Sequence, residues 1–564
     1  MIRFRLRTLA AATVSARLLA GVVLALAVGA SPASALAQGA PARPLTGDRA
    51  EAIADKTSVF IEQRRENPRA SISAVRKAGG SWEVSLFSKG QEPKQIALAK
   101  IAADGKVTEA WSGFQVAWSM ARGYPGAFGR SVNSPWIWIP LCIAFLLPFF
   151  DWRKPFRWLH FDLLALLGFS VSLAFFNDAN LGISVPVSSA LLAWLVARLL
   201  FIGLRPGARP PPLRLLIPWR WLAVIGLFLI GFRAGLNIVD GNVIDVGYAG
   251  VIGADKFSHG QAIYGSFPFD NGSGDTYGPL LYLLYVPFEW IWPWQGTWDD
   301  LPSAHAVAGF VDVACTALLF LIGRRLRDTA LGVVLAYAWL AFPFTVYVTN
   351  SGSNDAIPAA LVLAAIWLHR QPVARGALSV AAGLTKFAPL ALLPLFAGDG
   401  LWDSTEPRSA RLKRLAAYCL GVVLVVVVTA AIFAPTTSLK DFWDHTLGYQ
   451  FGRDAPFSVW GFYGGGWRTA QKVVQVATIL LALAAFFVPR RRNMITLAAM
   501  AGAIMAAVQL SATYWFYLYL AWVIPFALIA FLGRPALTGL REGWPERPVG
   551  VARSTPPAAG PGSG

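Results

Sequence analysis

Charged residues are scarce in this sequence. They make up 14% of its 564 residues, whereas about 25% is usual in a soluble domain. Hydrophobic residues make up 55%, the mean hydropathy is +0.51, and there are 23 tryptophans, a residue that favours membrane interfaces. Apolar runs long enough to cross a bilayer recur along the chain, so the composition excludes a soluble enzyme and predicts a polytopic membrane protein.

Several motifs that carry chemistry are missing as well. The three cysteines, Cys142, Cys315 and Cys419, all lie inside apolar runs, so neither a disulfide framework nor a metal site is predicted. There is no Walker-type phosphate loop, no zinc-protease motif and no nucleophile elbow. The predicted cytoplasmic connections are too short for a nucleotide-binding domain. These absences argue against a nucleotide donor or an ATP-driven pump, and they favour a substrate that is delivered within the membrane.

The net charge of +18 does not indicate nucleic-acid binding, because the basic residues form short clusters between apolar runs. If the spans alternate from an outer position at residue 133, every basic cluster from 153–154 to 490–492 falls on one side, as the positive-inside rule requires. We therefore expect a multi-pass protein of the plasma membrane. Its N-terminal domain would lie outside, and residues 533–564 would form a disordered cytoplasmic tail.

The N-terminus has the pattern of a targeting segment. Basic residues precede an apolar run at 18–28, and Ala33-Ser34-Ala35 follows as a small-x-small cleavage pattern. Residues 1–35 are therefore a secretory signal peptide or, if uncleaved, an N-terminal anchor.

A polar segment, residues 40–133, follows the signal. A helix is predicted at 53–65, strands at 82–87 and 96–101, and a turn at Asp104-Gly105. This predicts a small extracytoplasmic α+β domain, which resembles a PepSY-type module. We interpret it as a structural or docking domain that presents an acceptor or a partner.

The rest of the chain is predicted to be an all-α polytopic membrane bundle. Spans are expected at residues 136–150, 159–176, 183–204, 215–235, 303–322, 330–348, 356–369, 415–433, 470–488, 494–512 and 514–532. Two shorter helices within 375–398 meet near Lys386, which brings the number of membrane helices to about 13. The stretch 277–292 contains prolines and ends in tryptophans, so it is predicted to lie in the outer interface rather than to cross.

Two long connections fall on the predicted outer side, the first long loop (residues 236–302) and the second long loop (residues 434–469), and long ordered loops on a scaffold usually carry function. The first is rich in candidate groups: Asp240, Asp245, Asp255, His259, Asp270, Asp275, Asp299 and Asp300. A carboxylate within reach of a sugar hydroxyl can act as a base. The alternative is an ordinary solvated loop. Such a loop would also be able to bind a divalent cation, although no ligand spacing demands one.

Three cations are predicted near the outer face: Lys386, Arg453 and Arg468. A departing phosphate needs such a charge. A lysine between two apolar half-helices is a functional hypothesis by default. The alternative is a lysine that snorkels to the interface.

Five local segments, in this order and on these predicted sides, resemble glycosyltransferase family 87 of the GT-C superfamily. They are DVGY at 245–248 with GQAIYG at 260–265, TYGPLLY at 276–282, GRRL at 323–326, GLTKFAP at 383–389, and YQFGR at 449–453 with SVW at 458–460. The resemblance covers residues 215–532, whereas residues 136–204 are three additional helices. The sequence has Gly278 where the family often has proline.

The resemblance implies a hexosyltransferase that moves a sugar, mannose in that family, from a polyprenyl-phosphate carrier to an extracytoplasmic glycan, lipid or protein. It implies a catalytic base at Asp245, with Asp240 as the second choice. It also implies that Lys386 and Arg453 hold the lipid phosphate, and that Tyr277 and the tryptophan-rich interface helix shape the substrate groove. Tyr264, His259 and Arg468 are further substrate-binding candidates.

Two other classes remain open from the sequence. A transporter would also place charges inside a bundle, but it should show paired broken helices in corresponding positions, and the sequence indicates one broken pair. A non-enzymatic receptor or assembly factor would depend on residues 40–133 and would tolerate the loss of Asp245.

Overall fold

The computed structural model describes residues 45–76, 80–89, 95–112, 130–177, 180–205, 207, 210–268, 271–298, 301–402, 405–452 and 455–538. The chain forms two compact units, Met1–Ala117 and Trp118–Gly564. The predicted signal segment, most of the predicted tail, Asp270, Asp299, Asp300 and Arg453 lie outside the described residues.

The first unit is a four-stranded antiparallel sheet with two helices. The elements are α1 (Gly47–Ala54), α2 (Ser58–Glu66), β1 (Ser71–Arg76), β2 (Trp82–Phe87), β3 (Gln95–Ile101) and β4 (Val107–Ser112), and the strands pair in chain order. Alternate residues of β2, Val84 and Leu86, are buried with Phe60 of α2. The alternation of apolar and polar residues thus fixes the face of the sheet that the helices cover.

The predicted helix at 53–65 is two helices in the structure. Thr57 interrupts it, because its hydroxyl accepts the amide of Phe60 and caps α2. The predicted turn lies between β3 and β4. There Gly105 has a φ of +86°, and Asp104 Oδ1 accepts the amide of Lys106 at 3.0 Å. The strands β1 and β4 were not predicted.

The second unit is mostly helical. Its helices are α3 (Pro135–Leu146), α4 (Trp158–Asn177), α5 (Leu181–Leu204), α6 (Trp219–Asp240), α7 (Asp245–Ser258), α8 (Pro279–Ile291), α9 (Pro302–Leu326), α10 (Thr329–Ala341), α11 (Pro343–Asn350), α12 (Ala356–Trp367), α13 (Pro372–Thr385), α14 (Leu393–Ala397), α15 (Arg408–Phe433), α16 (Leu439–Trp443), α17 (Tyr449–Gly452), α18 (Val459–Tyr463), α19 (Trp467–Ala484), α20 (Met494–Ser511) and α21 (Ile524–Leu532). Short strands β5 (Leu213–Arg214) and β6 (Leu537–Thr538) pair in parallel.

Six of the described helices are long and apolar enough to cross a membrane: α4, α5, α6, α9, α15 and α20. The bent pair α10 and α11 makes a seventh candidate. One of these spans, α9, has 25 residues and is about 37 Å long at 1.5 Å per residue. Most of α20 is buried inside the unit, whereas most of α15 is exposed to its surroundings. The chain is therefore a multi-pass membrane protein.

Prolines explain where the structure departs from the predicted spans. The expected span at 330–348 bends by 61° between α10 and α11, because Pro343 lacks an amide and Phe342 before it takes an extended conformation. The expected span at 514–532 is a 3-10 turn, Tyr517–Trp522, followed by the short helix α21. The expected spans at 136–150 and 356–369 contain only the short helices α3 and α12.

The predicted interface helix is α8. It has 13 residues and is about 20 Å long, too short for a bilayer core of about 30 Å. It packs closely on α7 because that helix has glycines at the contact. A Cβ atom at Gly250 would lie 2.4 Å from Cζ of Tyr285, and one at Gly253 would lie 2.0 Å from Cδ1 of Tyr282.

A buried ion pair joins the two spans that flank the first long loop. The guanidinium of Arg233 in α6 donates to both carboxylate oxygens of Asp312 in α9. It also donates to the backbone oxygens of Leu340 and Thr345, and Trp339 Nε1 donates to Asp312 at 2.8 Å. Because both charges have hydrogen-bonding partners, the pair is stable inside the bundle and fixes α6 against α9.

Candidate functional site

Lys386 lies where α13 ends, at the break that the sequence predicts. Its backbone is extended, and Pro389 follows in a 3-10 turn, Ala388–Leu392. Its Nζ atom lies 2.5 Å from Oδ1 of Asp355, which comes just before α12. The side chains are 6% and 1% exposed, so Lys386 is a buried, paired cation and does not snorkel to an interface.

Three aromatic rings surround this ion pair. The Nζ atom of Lys386 lies 5.1 Å from the ring centre of Tyr277, 5.5 Å from that of Trp522 and 5.8 Å from that of Tyr519. These distances fall within the range in which a cation is attracted to an aromatic face. We call Lys386, Asp355, Tyr277, Tyr519 and Trp522 the lysine cage.

Gly278 joins the first long loop to the lysine cage. Its amide donates to the carbonyl of Thr385 at 3.1 Å. A Cβ atom at this position would lie 2.1 Å from the carbonyl oxygen of Leu384, so a side chain would force the two backbones apart. The absence of a side chain at Gly278 thus allows Tyr277 to approach Lys386.

Asp245 begins α7, beside the segment that carries Asp355. The amide of Ile244 donates to Ser351 O at 2.9 Å, and Asn354 Nδ2 donates to Val246 O at 2.6 Å. A Cβ atom on Gly247 would lie 2.2 Å from Gly352 O. The start of α7 is therefore closely packed against residues 351–354. Asp245 lies on one side of this contact, and Asp355 directly follows the segment on the other side.

The carboxylate of Asp245 is held at the helix start. Its Oδ1 atom accepts the amide of Val246 at 2.9 Å, and Asn271 Nδ2 donates to the carbonyl of Asp245 at 3.0 Å. Its side chain is half-buried. An ionised carboxylate is favoured at the N-terminus of a helix, where backbone amides point outward.

The structure separates the other candidate residues from the cage contacts. Asp240 ends α6, and its Oδ2 atom accepts the amide of Ser131 at 2.9 Å. His259 is exposed and pairs with Asp255 on its own helix at 3.3 Å. Arg468 lies in the exposed first turn of α19. Arg453 lies outside the described residues.

The two long loops contact each other beside the cage. Tyr264 is buried, its hydroxyl donates to Tyr277 O at 3.0 Å, and its ring packs edge-on against Phe442 of the second long loop. Burial, with the nearby charge of Asp275 as a lesser cause, raises the pKa of Tyr264. Asp275 accepts the amide of Gly265 at 2.7 Å and lies 2.9 Å from Nδ1 of His445. Tyr264 thus joins Tyr277 of the lysine cage to Phe442 of the second long loop.

Buried polar atoms without a hydrogen-bond partner also occur here. Within the described part of the chain, Trp522 Nε1, Tyr285 Oη and Asn354 Oδ1 are buried and have no such partner. Burial, with the charge of Asp355 as a lesser cause, raises the pKa of Tyr285. Native proteins leave few buried polar groups unpaired, and a ligand would satisfy the two donors, Trp522 Nε1 and Tyr285 Oη, and the acceptor, Asn354 Oδ1.

The described residues contain no group of three or more His, Cys, Asp and Glu side chains that could hold a metal ion. The site instead contains the ammonium group of Lys386, which can bind an anion, and the carboxylate of Asp245, which can accept a proton. Sequence reasoning missed Asp355, Tyr519 and Trp522. An acidic residue directly before an apolar run and the aromatic string at 514–522 were the available signals.

Residues 276–512, less than half of the chain, match the family model described as glycosyltransferase family 87. No curated protein matches the chain. The matched range contains Lys386, Asp355 and Tyr277 and ends before Tyr519 and Trp522. The match over these residues, together with the apolar helices, supports a GT-C-like membrane glycosyltransferase.

Proposed function

We propose that this chain transfers a hexose, with mannose as the first candidate, from a polyprenyl-phosphate carrier to an acceptor hydroxyl on the outer side of the plasma membrane. The observation that carries the proposal is the buried ammonium of Lys386, paired with Asp355 and enclosed by three aromatic rings. A lysine within a membrane bundle is a candidate functional group, and the unpartnered Trp522 Nε1 of its enclosure is a further donor that the phosphate of a lipid-linked sugar would satisfy.

Lys386 would bind the phosphate of the donor. An ammonium has three N–H donors, and Asp355 accepts one of them. A phosphate oxygen would accept another in place of a ring contact. Negative charge grows on this phosphate as the sugar leaves, so a fixed cation stabilises the transition state more than the bound donor. Trp522 Nε1 supplies a further buried N–H donor.

Asp245 would act as the base. The acceptor oxygen attacks the anomeric carbon of the sugar, and the bond between that carbon and the phosphate oxygen breaks. The hydroxyl proton passes to Asp245, and polyprenyl phosphate leaves with the electron pair. Hydrogen bonds from Val246 and Asn271 hold Asp245 in place beside residues 351–354, which is the fixed position that general-base catalysis requires.

A lipid-linked donor suits the surroundings of the cage. Tyr277 lies two residues before α8, which is apolar and has the exposed side chains of Trp290, Ile291 and Trp292 at its end. Tryptophans of this kind anchor a helix in the membrane interface. A polyprenyl chain would lie beside α8, while its phosphate would reach Lys386 past Tyr277.

The test is transfer of radiolabelled mannose from polyprenyl-phosphate mannose in membranes that contain the full chain. The wild type should transfer label. The rate of Lys386→Met should be at least 100-fold lower, which corresponds to a loss of about 2.7 kcal/mol of transition-state stabilisation. Lys472→Met removes an exposed lysine of α19 and should retain the wild-type rate. If the wild type transfers no sugar from any polyprenyl phosphate, or if Lys386→Met retains full activity, the proposal is wrong.

A further inference from the structure

A charged cavity is formed by helices that lie outside the residues matched by the family model. It has a volume of about 320 Å³ and is formed where α4 begins and where α5 and α21 end. We call it the arginine cavity. Its charged lining consists of Arg157, Arg198, Arg534 and Asp162, beside the rings of Trp158 and Phe201.

The charges of this cavity do not balance. Asp162 accepts two hydrogen bonds from Arg198, each of 2.8 Å, and a third from Trp194 Nε1. Arg157 donates to the carbonyl of Pro212 at 2.8 Å, and its nearest carboxylate, Asp151, is 4.0 Å away. Among the described residues, the three guanidinium groups of the lining have two carboxylates beside them, Asp162 and Asp151, so these charges sum to +1.

Arg534 is affected by this imbalance. Its pKa is lowered, first by burial and then by repulsion from Arg198, and Asp162 offsets the effect only in part. A guanidinium in such surroundings is stabilised by an additional anion. Planar guanidinium groups bind phosphate oxygens in pairs, which suits a phosphate better than a halide.

The mouth of the cavity has the character of a membrane interface. Phe156 is 88% exposed and Trp158 is 65% exposed, and Arg198 lies over the ring of Trp158 at 5.0 Å. Exposed aromatic residues of this kind lie at the level of lipid head groups. Basic pockets between membrane helices bind the head groups of anionic lipids.

We propose that the arginine cavity binds the phosphate head group of an anionic phospholipid, with the acyl chains lying against Phe156 and Trp158. This site would hold α4, α5 and α21 together from the side of the basic clusters. It does not depend on the proposed glycosyl transfer, because the cavity lies among α4, α5 and α21, which contribute no residue to the lysine cage.

The purified full chain in neutral detergent is titrated with phosphatidylglycerol or with phosphatidylcholine of the same acyl chains, and bound lipid is counted by native mass spectrometry. Phosphatidylglycerol should bind more tightly than phosphatidylcholine. Because each basic residue contributes a factor of about five toward an anionic lipid, the double variant Arg157→Gln/Arg534→Gln should bind phosphatidylglycerol about twentyfold more weakly.

Two controls make the result specific. Arg157→Lys/Arg534→Lys retains both charges but not the planar guanidinium groups, so it should recover part of the affinity, which distinguishes lost binding from lost folding. Arg491→Gln removes an exposed charge from another basic cluster and should leave the affinity unchanged. Equal binding of the two lipids, an unaffected glutamine double variant, or displacement of phosphatidylglycerol by millimolar inorganic phosphate would overturn the proposal, the last by making the cavity a site for free phosphate.

Discussion

The Nζ atom of Lys386 lies 2.5 Å from Oδ1 of Asp355, although 31 residues separate the two in the chain. Both side chains are buried. Removal of one partner of such a pair leaves an uncompensated charge, whereas removal of both often costs little. This difference distinguishes a structural role of the pair from a role in binding the donor.

Lys386→Met should therefore lower both stability and activity. The variant leaves Asp355 buried without its cation, so the free energy of unfolding in detergent should fall by about 3–5 kcal/mol. The double variant Lys386→Met/Asp355→Leu should recover most of the stability, as measured by thermal unfolding, but no transfer activity. A double variant that transfers sugar at the wild-type rate would show that the ion pair only stabilises the fold.

Gly278→Ala should weaken donor binding. The added Cβ atom would lie 2.1 Å from Leu384 O, so Tyr277 must move away from Lys386. We expect KM for the donor to rise by about tenfold, equivalent to about 1.4 kcal/mol. The matched control is Gly231→Ala in α6, where nothing lies within 4 Å of the new Cβ atom and alanine favours the helix. Its kinetics should equal those of the wild type.

Arg233→Met should destabilise the bundle without a direct effect on chemistry. Asp312 would remain buried among α6, α9 and α10 without its cation, which costs about 3–5 kcal/mol. Arg233→Met/Asp312→Leu should recover stability in a denaturation experiment and retain transfer activity. Loss of activity in this folded double variant would assign the pair to the catalytic site instead.

His445→Ala should loosen the second long loop where it contacts the first. His445 lies 2.9 Å from Asp275, but it is 40% exposed, so solvent weakens the interaction to about 1 kcal/mol or less. We expect KM for the acceptor to rise by no more than about fivefold, with kcat unchanged. A large fall in kcat at an unchanged KM would contradict a positioning role and indicate that His445 takes part in the reaction.

The sequence predicted the broken helix at Lys386, because a lysine and a proline within an apolar segment are strong local signals. It did not predict Asp355, because an acidic residue at the end of a span has the same pattern as a solvated loop residue. Pairing across 31 residues depends on how α12 and α13 pack, which local patterns do not contain. The sequence predicts Tyr519 as part of a membrane span at 514–532, because its contact with Lys386 also depends on packing between distant segments.

Asp240 and Asp245 were also indistinguishable in the sequence, since both follow the same span. The structure places them differently: Asp240 accepts the amide of Ser131, whereas Asp245 begins α7 beside residues 351–354. That placement favours Asp245 as the base, and it makes Asp240→Asn a matched control, because asparagine retains an oxygen for the Ser131 amide.

The most direct test of this assignment is transfer from polyprenyl-phosphate mannose by wild type, Asp245→Asn and Asp240→Asn in membranes with equal amounts of inserted protein. Loss of a general base should lower kcat by about 10²–10⁴-fold. We predict this loss for Asp245→Asn, with donor binding preserved, and wild-type rates for Asp240→Asn. Full activity of Asp245→Asn, or the loss confined to Asp240→Asn, would contradict the account.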